Sequence, residues 1–294
     1  MIDLHLHTTY SDGTDCVSEL LENAEKNNLE IISITDHNEL GAYFELENHP
    51  EIRKKFSGKI IIGSEIKTVF DKVNIEILAY GIDYKKLSIK KEDRNIVQND
   101  ILKHFIKVGE QMNIKCSEDI CVDLNDPKKQ YGSWVYVDEV TKYKENEEII
   151  KKLGGFNRRF FYRDFESNKN SPFYYDSSKY YDDCDTLIKK IHDAGGLAFL
   201  AHGLLYPFEN VRESVEKIIS TTDIDGLECI YPLFNNEERE FMLDLCNKYN
   251  KFASGGSDYH AKNKPETFMG TGINNNIRVE KLLIKDWVND IKMI

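Results

Sequence analysis

MIDLHLH, residues 1–7, opens the chain, and its alternation of polar and apolar side chains predicts a short β-strand. Residues two positions apart in a strand point to the same face. His5 and His7 therefore project together, while Leu4 and Leu6 point the other way. Neutral imidazole is a common ligand of divalent metals, so this pair predicts half of a metal site. Two structural histidines would give the same pattern, and the rest of the chain has to separate the alternatives.

The composition is that of an ordinary folded protein. The chain has 294 residues, of which 40% are hydrophobic and 31% are charged. This length suffices for one large domain with a substantial core. The formal charge of −12 argues against general binding to long nucleic acids or to an anionic membrane. An anionic substrate stays compatible, because bound cations would make the site locally positive.

The sequence shows no targeting pattern and no disulfide framework. No apolar run approaches the roughly eighteen residues that a membrane span needs, and no basic segment followed by an apolar core opens the chain. The six cysteines form no CxxC pair, which is typical of reduced thiols. We therefore expect a cytoplasmic protein with no membrane partner, and the oligomeric state is left open.

Metal-ligand residue types recur where predicted strands end. The β-branched run 31–34 is typical of a strand buried on both faces, and His37 follows it. The next strand ends at Glu65, and a further strand over 73–80 carries Glu76 inside an apolar run. A carboxylate there is costly unless it is paired or bound to a metal. An edge-strand carboxylate that faces water is the alternative for Glu76.

The same pattern returns in the last third of the chain, which is predicted to close with a helix over 281–292. Strand ends lead there into His202 and into an Asp-Tyr-His segment, and the carboxyl ends of parallel barrel strands converge on one face. We therefore expect one polynuclear metal site at that face. Its predicted members are His5, His7, Asp12, His37, Glu65, His202, Asp258 and His260.

The middle of the chain differs in character. Residues 86 to about 113 predict a helix. From about 116 to 185 the chain is rich in Tyr, Asn, Lys, Asp and Glu. We interpret this part as a helical insertion that covers one end of a barrel, within a single domain spanning 1–294. Its aromatic side chains could stack on bases; they include Tyr131, Trp134, Tyr136, Phe160, Phe161 and Tyr162.

Four basic residues are candidates for substrate binding. Arg158, Arg159 and Arg163 lie close together in the insertion, and guanidinium groups match phosphate oxygens. They could equally form a solvated face or pair with the many nearby acids. Lys262, followed by Lys264, comes after the last histidine motif and could meet an anionic substrate or simply lie exposed on a loop.

The ordered motifs HLHTTYSDGT, ITDHN, GSEI, LAHG and GGSDYHA resemble the polymerase-and-histidinol-phosphatase (PHP) family of metal-dependent phosphoesterases. The resemblance runs from residue 1 to about residue 272, and the insertion is its least constrained part. It implies an α/β fold with a distorted seven-stranded, TIM-like β/α barrel. It also implies two or three divalent metal ions, commonly manganese, iron or zinc.

The resemblance further implies a ligand set. The first metal would be held by His5, His7, Glu65 and Asp258, the second by Glu65 and His202, and the third by Asp12, His37 and His260. The family often has a histidine where this chain has Glu76. An oxygen ligand at that position would favour manganese or magnesium over zinc; otherwise the second site is weak or empty.

The chemistry expected from such ligands is phosphoester hydrolysis. Two adjacent metals supply a bridging hydroxide that attacks phosphorus in line, and they neutralise the phosphoryl oxygens. The leaving oxygen needs a proton, for which His202, Asp258 and a metal-bound water are candidates. Asp36 could orient the imidazole of its neighbour His37 or make a hydrogen bond at the strand end.

We therefore expect a metal-dependent phosphatase or phosphodiesterase. A phosphomonoester of a small metabolite or a nucleotide is the leading substrate. Histidinol phosphatase activity and exonuclease activity on short oligonucleotides are alternatives within the same class. A non-catalytic, metal-stabilised binding module is the alternative from another class.

Overall fold

The computed structural model describes residues 1–90, 93–126 and 128–294. Seven strands form one sheet in the order of the chain. They are β1 (Ile2–Leu6), β2 (Ile31–Ile34), β3 (Lys59–Phe70), β4 (Val73–Tyr80), β5 (Leu197–Leu200), β6 (Gly226–Ile230) and β7 (Phe252–Gly255). Two short strands, β8 (Thr267–Phe268) and β9 (Gly272–Ile273), pair separately.

Helices follow most of the strands. They are α1 (Val17–Lys26), α2 (Gly41–Asn48), α3 (Pro50–Arg53), α4 (Arg94–Gln111), α5 (Gly132–Val140), α6 (Glu147–Lys152), α7 (Cys184–Asp193), α8 (Val211–Thr221), α9 (Asn236–Tyr249) and α10 (Lys281–Ile284). The helix predicted over 86–113 is thus found over 94–111, and positions 91 and 92 of that prediction lie outside the described residues. Position 127 of the predicted insertion also lies outside them.

The sheet is not wholly parallel, and this corrects the expectation of a barrel of parallel strands. Strand β4 pairs antiparallel with both β3 and β5. The reason is the connection between β3 and β4, which consists only of Asp71 and Lys72, both with positive φ (49° and 63°). Two such residues make a tight hairpin turn, whereas a parallel connection needs a crossover of about a dozen residues or more.

The sheet curls, so that the chain after β7 returns to β1. The backbone N–H of His7 donates to the Tyr259 carbonyl at 3.0 Å, and the N–H of Tyr259 donates to the His5 carbonyl at 3.3 Å. The fold is therefore an α/β fold around a curled seven-stranded sheet. This curl brings the segment 258–260 beside the histidines of the first motif.

Three hydrophobic clusters stabilise this arrangement. The largest packs the helices against the sheet and includes the apolar face of α1, from Val17 to Ala24. A second lies among α4, α5 and the chain up to Tyr180, so it includes a helix upstream of the predicted insertion. The third lies near the amino end of β1 and packs against Trp287.

The predicted closing helix over 281–292 is wrong beyond its first turn. Only Lys281–Ile284 is helical. The chain then turns, so that Trp287 is buried and its indole N–H donates to the Ala253 carbonyl at 3.1 Å. A tertiary contact decides this segment, because a buried indole needs an acceptor.

Candidate metal centre

The predicted ligands meet at one end of the sheet. Strand β1 places His5, and the backbone just beyond it places His7. The segment after β2 places His37, and the segments after β5 and β7 supply the later histidines. Two of the positions have left-handed backbone, His202 with φ 27° and Asp258 with φ 57°. Such conformations are costly for residues other than glycine, and they cluster at functional sites.

Glu65 lies at the centre of the cluster. Its Oε2 atom is 3.1 Å from His5 Nε2, 3.3 Å from His7 Nε2 and 3.2 Å from His37 Nδ1. Its other oxygen, Oε1, is 2.8 Å from His202 Nε2. A carboxylate surrounded in this way has one oxygen beside three imidazoles and the other beside a fourth, and the bridging role that the family resemblance implies for Glu65 stays a prediction.

Asp258 lies beside the same pair of histidines. Its Oδ1 atom is 3.6 Å from His5 Nε2 and 3.4 Å from His7 Nε2. With Glu65, these side chains form the set that the sequence assigned to the first metal. The residues His5, His7 and Glu65 each offer an atom within 4.8 Å of the others.

A second group forms around Asp12. Its Oδ1 atom is 3.0 Å from His260 Nε2 and 3.7 Å from both His37 Nε2 and His7 Nδ1. The structure thus adds His7 to the group that was predicted for the third metal. The His7 imidazole lies between the two groups, with its Nε2 atom toward Glu65 and its Nδ1 atom toward Asp12.

Glu76 faces the cluster and does not face water. It lies in the middle of β4 and is 6% exposed. Its Oε1 atom is 3.4 Å from His37 Nδ1, and its Oε2 atom is 3.5 Å from His202 Nε2. His37, Glu65 and Glu76 form a third group whose spacing suits a metal ion. The alternative of an edge-strand carboxylate in water is therefore wrong.

The pKa values reflect this concentration of buried charge. Burial disfavours the ionised form of Glu65, but the charges of His5 and His37 outweigh it and hold its pKa well below the usual value. Burial also opposes the charge on His7, but the nearby carboxylates of Asp258 and Glu65 outweigh it and raise the pKa of His7 to about 9. Burial and the nearby Glu65 charge raise the pKa of Glu76 to about 7.

The chemistry of these donors fits divalent cations. Four buried polar atoms of the predicted ligands lack a hydrogen-bond partner within the described part of the chain. They are His7 Nε2, Asp12 Oδ1, His37 Nδ1 and His202 Nδ1. Buried polar atoms are nearly always satisfied, and a mixed set of imidazoles and carboxylates suits manganese, iron or zinc.

Glu228 supports the cluster from β6 and was missed by the sequence analysis. Its Oε1 atom is 2.9 Å from His5 Nδ1, and its Oε2 atom accepts the backbone N–H of His202 at 2.8 Å. A carboxylate on the far nitrogen of a ligand histidine fixes the tautomer and the ring orientation. The signal was available, because Glu228 is a carboxylate inside an apolar strand, as Glu76 is.

Asp36 holds the loop that carries Asp12. Its carboxylate accepts from the Thr8 N–H at 2.7 Å, from the Thr8 hydroxyl at 2.6 Å and from the Ser11 hydroxyl at 2.6 Å. The Ser11 hydroxyl in turn lies 3.3 Å from His7 Nδ1. Asp36 thus acts on the loop between Thr8 and Asp12, and no hydrogen bond to His37 is seen within the described residues.

Asp258 is fixed by two further side chains. The Tyr231 hydroxyl donates to its Oδ2 atom at 2.7 Å, and Lys264 Nζ lies 2.5 Å from the same atom. Burial raises the pKa of Asp258, but the charges of Lys264 and His260 outweigh burial and hold it well below the usual value. Lys264 therefore contacts a predicted ligand.

The candidate substrate-binding arginines are all engaged elsewhere. Arg158 lies 3.3 Å from Asp138 and stacks over Trp134. Arg159 pairs with Glu266, and Arg163 lies 2.8 Å from Asp164. These contacts match the alternative in which the arginines pair with nearby acids. Lys262 is exposed, and its backbone N–H donates to Thr14 at 3.0 Å. A role of these four residues in substrate binding stays a prediction.

None of the helices described in this chain combines the length and the apolar character that crossing a membrane requires.

Two proteins of named activity align with most of this chain. A 5'-3' exoribonuclease of Haemophilus influenzae is 23% identical over 267 residues, which cover 88% of this chain and 89% of the relative. A phosphoribosyl 1,2-cyclic phosphate 1,2-diphosphodiesterase of Eggerthella lenta is 22% identical over 272 residues, which cover 88% and 94%.

Solved structures share the fold. A candidate metal-dependent phosphoesterase of Bifidobacterium adolescentis superposes with a TM-score of 0.64 at 20% identity, over 99% of this chain and 96% of that one. An amidohydrolase of Chromobacterium violaceum gives the same TM-score at 17% identity, over 99% and 97%.

The family model described as the PHP domain matches residues 3–229, which is most of the chain and includes His5, His37, Glu65 and His202. The matched segment contains the strands β1 to β5 that surround the metal centre. The chain therefore belongs to the PHP domain family, the metal-dependent phosphoesterases that its sequence motifs resemble.

Proposed function

We propose that this protein hydrolyses phosphoesters at the metal centre and that a phosphomonoester of a small metabolite or a nucleotide is its substrate. One observation carries the proposal: nine ligand-type side chains from widely separated positions converge at one end of the sheet, and Glu65 lies in contact with four of the histidines. Independent structural histidines would not share one carboxylate in this way.

In this proposal the chain holds two or three divalent cations. The first is held by His5, His7, Glu65 and Asp258, the second by Glu65, Glu76 and His202, and the third by Asp12, His37 and His260. Bound divalent metals supply a water nucleophile near neutral pH and offset charge on phosphoryl oxygens. Because Glu76 contributes an oxygen donor, we expect manganese to be bound in preference to zinc at the second position.

Asp258 is a poor candidate for protonating the leaving oxygen. The Tyr231 hydroxyl and Lys264 hold its carboxylate, and the charges of Lys264 and His260 keep its pKa well below the usual value despite burial. His202 is the other candidate within the chain. Because its Nε2 atom is directed at Glu65 and would hold the second metal, the proton would be carried by its Nδ1 atom.

A second candidate function is phosphodiester hydrolysis on nucleotides or short oligonucleotides. It is favoured by the two relatives named above, an exoribonuclease and a cyclic phosphate diphosphodiesterase, each aligned over 88% of this chain. The net charge of −12 favours short substrates over long ones. Histidinol phosphatase activity has no specific support, because none of the residues placed at the site is dedicated to a substrate imidazole.

The test combines metal analysis with hydrolysis. Protein purified without chelator is assayed for metal content and for turnover of an aryl phosphate and of its aryl diester with added manganese. We expect two or three metals per chain and faster monoester turnover. In the variant Glu76→Gln we expect the loss of about one metal equivalent and a fall in turnover of about 10- to 100-fold, as typical of a disturbed metal site.

Glu237→Gln serves as the control, because this exposed carboxylate pairs only with Arg212 on the surface. Faster turnover of the diester would replace the leading proposal by the second candidate. Bound metal with no turnover of either ester would support the non-catalytic binding module and overturn both.

A further inference from the structure

Lys67 brings a positive charge to the metal centre. It follows Glu65 by two positions on β3, so the two side chains point to the same face. In the antiparallel pair, Lys67 lies directly opposite Glu76 of β4. Since neighbouring residues along a strand are about 3.3 Å apart, Lys67 is placed roughly 7 Å beyond Glu65, toward the end of the hairpin.

The surroundings of the Lys67 ammonium are aromatic. Its Nζ atom lies 4.7 Å from the centre of the Tyr162 ring, in the short helical turn Tyr162–Glu166. Tyr131 and Tyr181 are other close electrostatic neighbours, together with the carboxyl groups of Glu76 and Glu166. Within residues 1–90, 93–126 and 128–294, no carboxylate oxygen lies within 4.0 Å of Lys67 Nζ, and this atom makes no hydrogen bond.

Lys217 shows what a comparable lysine does elsewhere in this chain. Its Nζ atom also lies over an aromatic ring, at 5.4 Å from the centre of Phe70. Unlike Lys67, it is paired with a carboxylate, that of Asp71, at 2.5 Å. The lack of such a partner is therefore a property of the Lys67 site and does not follow from packing against an aromatic ring.

Arg94, at the start of α4, offers a second donor at the same place. Its Nη1 atom donates to the Ser11 carbonyl at 3.3 Å, next to Asp12 of the metal centre. Its Nη2 atom is buried and has no hydrogen-bond partner in the described chain. The guanidinium lies 4.9 Å from the centre of the Tyr131 ring.

Tyr131 connects the two cations with the metal centre. The Asp12 carboxylate, Arg94 and Lys67 are all close charged neighbours of its hydroxyl. The buried hydroxyl of Tyr162, whose ring lies against Lys67, lacks a hydrogen-bond partner in the described part of the chain. Unused donors from β3, α4 and the middle segment thus meet beside the predicted metal ligands.

We propose that Lys67 and Arg94 form an anion-binding subsite that holds a second anionic group of the substrate, a phosphate or a carboxylate, next to the phosphoryl group at the metal centre. This inference rests on the proposed function and narrows its substrate class. The charges support this inference, because two cationic side chains with unused donors lie beside the carboxylates of the metal centre. Charge-assisted hydrogen bonds to such a group are about twice as strong as neutral ones.

Geometry is the reason for assigning this subsite to a second anionic group of the substrate and not to the phosphoryl group that reacts. The ligand histidines and carboxylates surround Glu65, whereas Lys67 lies further along the same strand, beneath an aromatic side chain that follows α6. A phosphoryl group held among the ligands would leave the Lys67 ammonium free. A second anion a few bonds away would use it.

The experiment compares two ligands on manganese-loaded protein by calorimetry. Orthophosphate carries one anionic group, and phosphonoacetate carries a phosphonate and a carboxylate joined by bonds that a phosphoesterase does not hydrolyse. We expect wild-type protein to bind phosphonoacetate about tenfold more tightly than orthophosphate, which corresponds to one additional charge-assisted contact. In Lys67→Met this advantage is lost, while the Kd for orthophosphate changes less than about threefold. Lys67→Arg retains most of the advantage.

Lys217→Met is the matched control and should behave as the wild type. A second measurement does not depend on a variant. Acetylation of Lys67 by acetic anhydride, followed by mass spectrometry, should slow when phosphonoacetate is added, while acetylation of Lys217 should not. The subsite would be overturned if the wild type bound both ligands equally tightly or bound neither. It would also be overturned if Lys67→Met lost the same affinity for both ligands, or if the added ligand left the acetylation of Lys67 unchanged. Aryl phosphate turnover separates the two proposals. If Lys67→Met hydrolyses aryl phosphate normally and keeps the wild-type ratio of the two ligand affinities, the subsite is refuted and the proposed function is not.

Discussion

The metal centre and the aromatic cluster of the middle segment are both buried, but the first consists of ionisable side chains and the second of aromatic ones. Around Glu65, imidazoles and carboxylates lie within 4 Å of one another. Around Phe161, rings meet with centres 4.8 to 6.0 Å apart, among them those of Phe105, Phe165 and Tyr136. The first region needs cations or protons to offset its charge, whereas the second is stable through packing alone.

This difference predicts whether a substitution will first change the metal content or the stability of the protein. A substitution among the ligands removes charge compensation and should act on metal content before it acts on stability. A substitution among the rings leaves a cavity and should act on stability before it acts on metal content. Four substitutions can break or sharpen this contrast.

The largest effect is expected from His5→Ala. His5 is fully buried between Glu65 and Glu228, and its loss removes a predicted ligand of the first metal. We expect metal content to fall by at least one equivalent per chain and turnover of an aryl phosphate to fall about a thousandfold or more, which is over 4 kcal/mol in the barrier. Elemental analysis and steady-state kinetics measure the two effects.

His49→Ala is the control for His5→Ala, because His49 is exposed and lies beside Glu51 on the surface. If His5→Ala keeps its full metal content and full activity, the assignment of the metal centre is wrong. The same holds for His260→Ala.

Phe161→Ala tests the other side of the comparison. Phe161 is fully buried in the aromatic cluster, and truncation of such a ring typically costs about 3 to 5 kcal/mol of unfolding free energy. Urea denaturation should show this loss, while metal content per folded chain should stay unchanged. The half-buried neighbour Phe160 provides the control variant Phe160→Ala, with an expected loss less than half as large. Loss of metal without loss of stability would contradict the contrast.

Glu228→Gln separates positioning from binding at the metal centre. Glu228 contacts His5 Nδ1 and accepts the backbone N–H of His202, so it acts through the position of these two histidines. Loss of such a carboxylate typically costs about 10- to 100-fold in metal affinity, and competition with a chelator would measure it. Glu237→Gln should leave the affinity unchanged. An unaltered affinity in Glu228→Gln would mean that packing alone orients the ring of His5.

Glu166→Gln gives the smallest effect and a pH signature. Burial raises the pKa of Glu166 from 4.5 to about 7, although the charge of Lys67 lowers it in part. Because the folded state then binds the proton more tightly than the unfolded state, this group costs stability as pH rises from about 4.5 to about 7. We expect metal-free Glu166→Gln to be more stable than wild type at pH 8, by about 1 to 3 kcal/mol, and similar at pH 4.5.

Urea denaturation with chelator at both pH values measures that difference. The exposed Glu148, paired with Lys152 on α6, provides the control Glu148→Gln. An equal change at both pH values would show that Glu166 acts through its shape and not through its charge.

Much of the site could be predicted from the sequence because it depends on local sequence patterns. The period of two in β1 places His5 and His7 on one face, and this relation depends only on strand geometry. The strand ends at His37 and His202 follow from apolar runs that stop, and the chain from Val73 to Tyr80 is a strand with the predicted bounds. Local sequence determines each of these features, so tertiary context was not needed.

Other features were decided by contacts between distant segments. The reversed direction of β4 depends on the two-residue turn at Asp71, and it is this reversal that points Glu76 and Lys67 into the same end of the sheet. The engagement of Arg159 with Glu266 depends on two loops that meet only in the folded chain. No local pattern separates such a paired arginine from a free one.

The sequence by itself indicated the family and the candidate ligand residues, because side-chain type and strand period are properties of the local chain. It placed Glu65 at the end of its strand, whereas β3 continues to Phe70. Only the tertiary structure decided which candidate ligands lie around Glu65, that Glu228 contacts His5, and that Lys67 has no carboxylate within 4.0 Å among the described residues. These facts depend on how the sheet curls. Curling brings residues more than 200 positions apart, such as His5 and Glu228, within 2.9 Å.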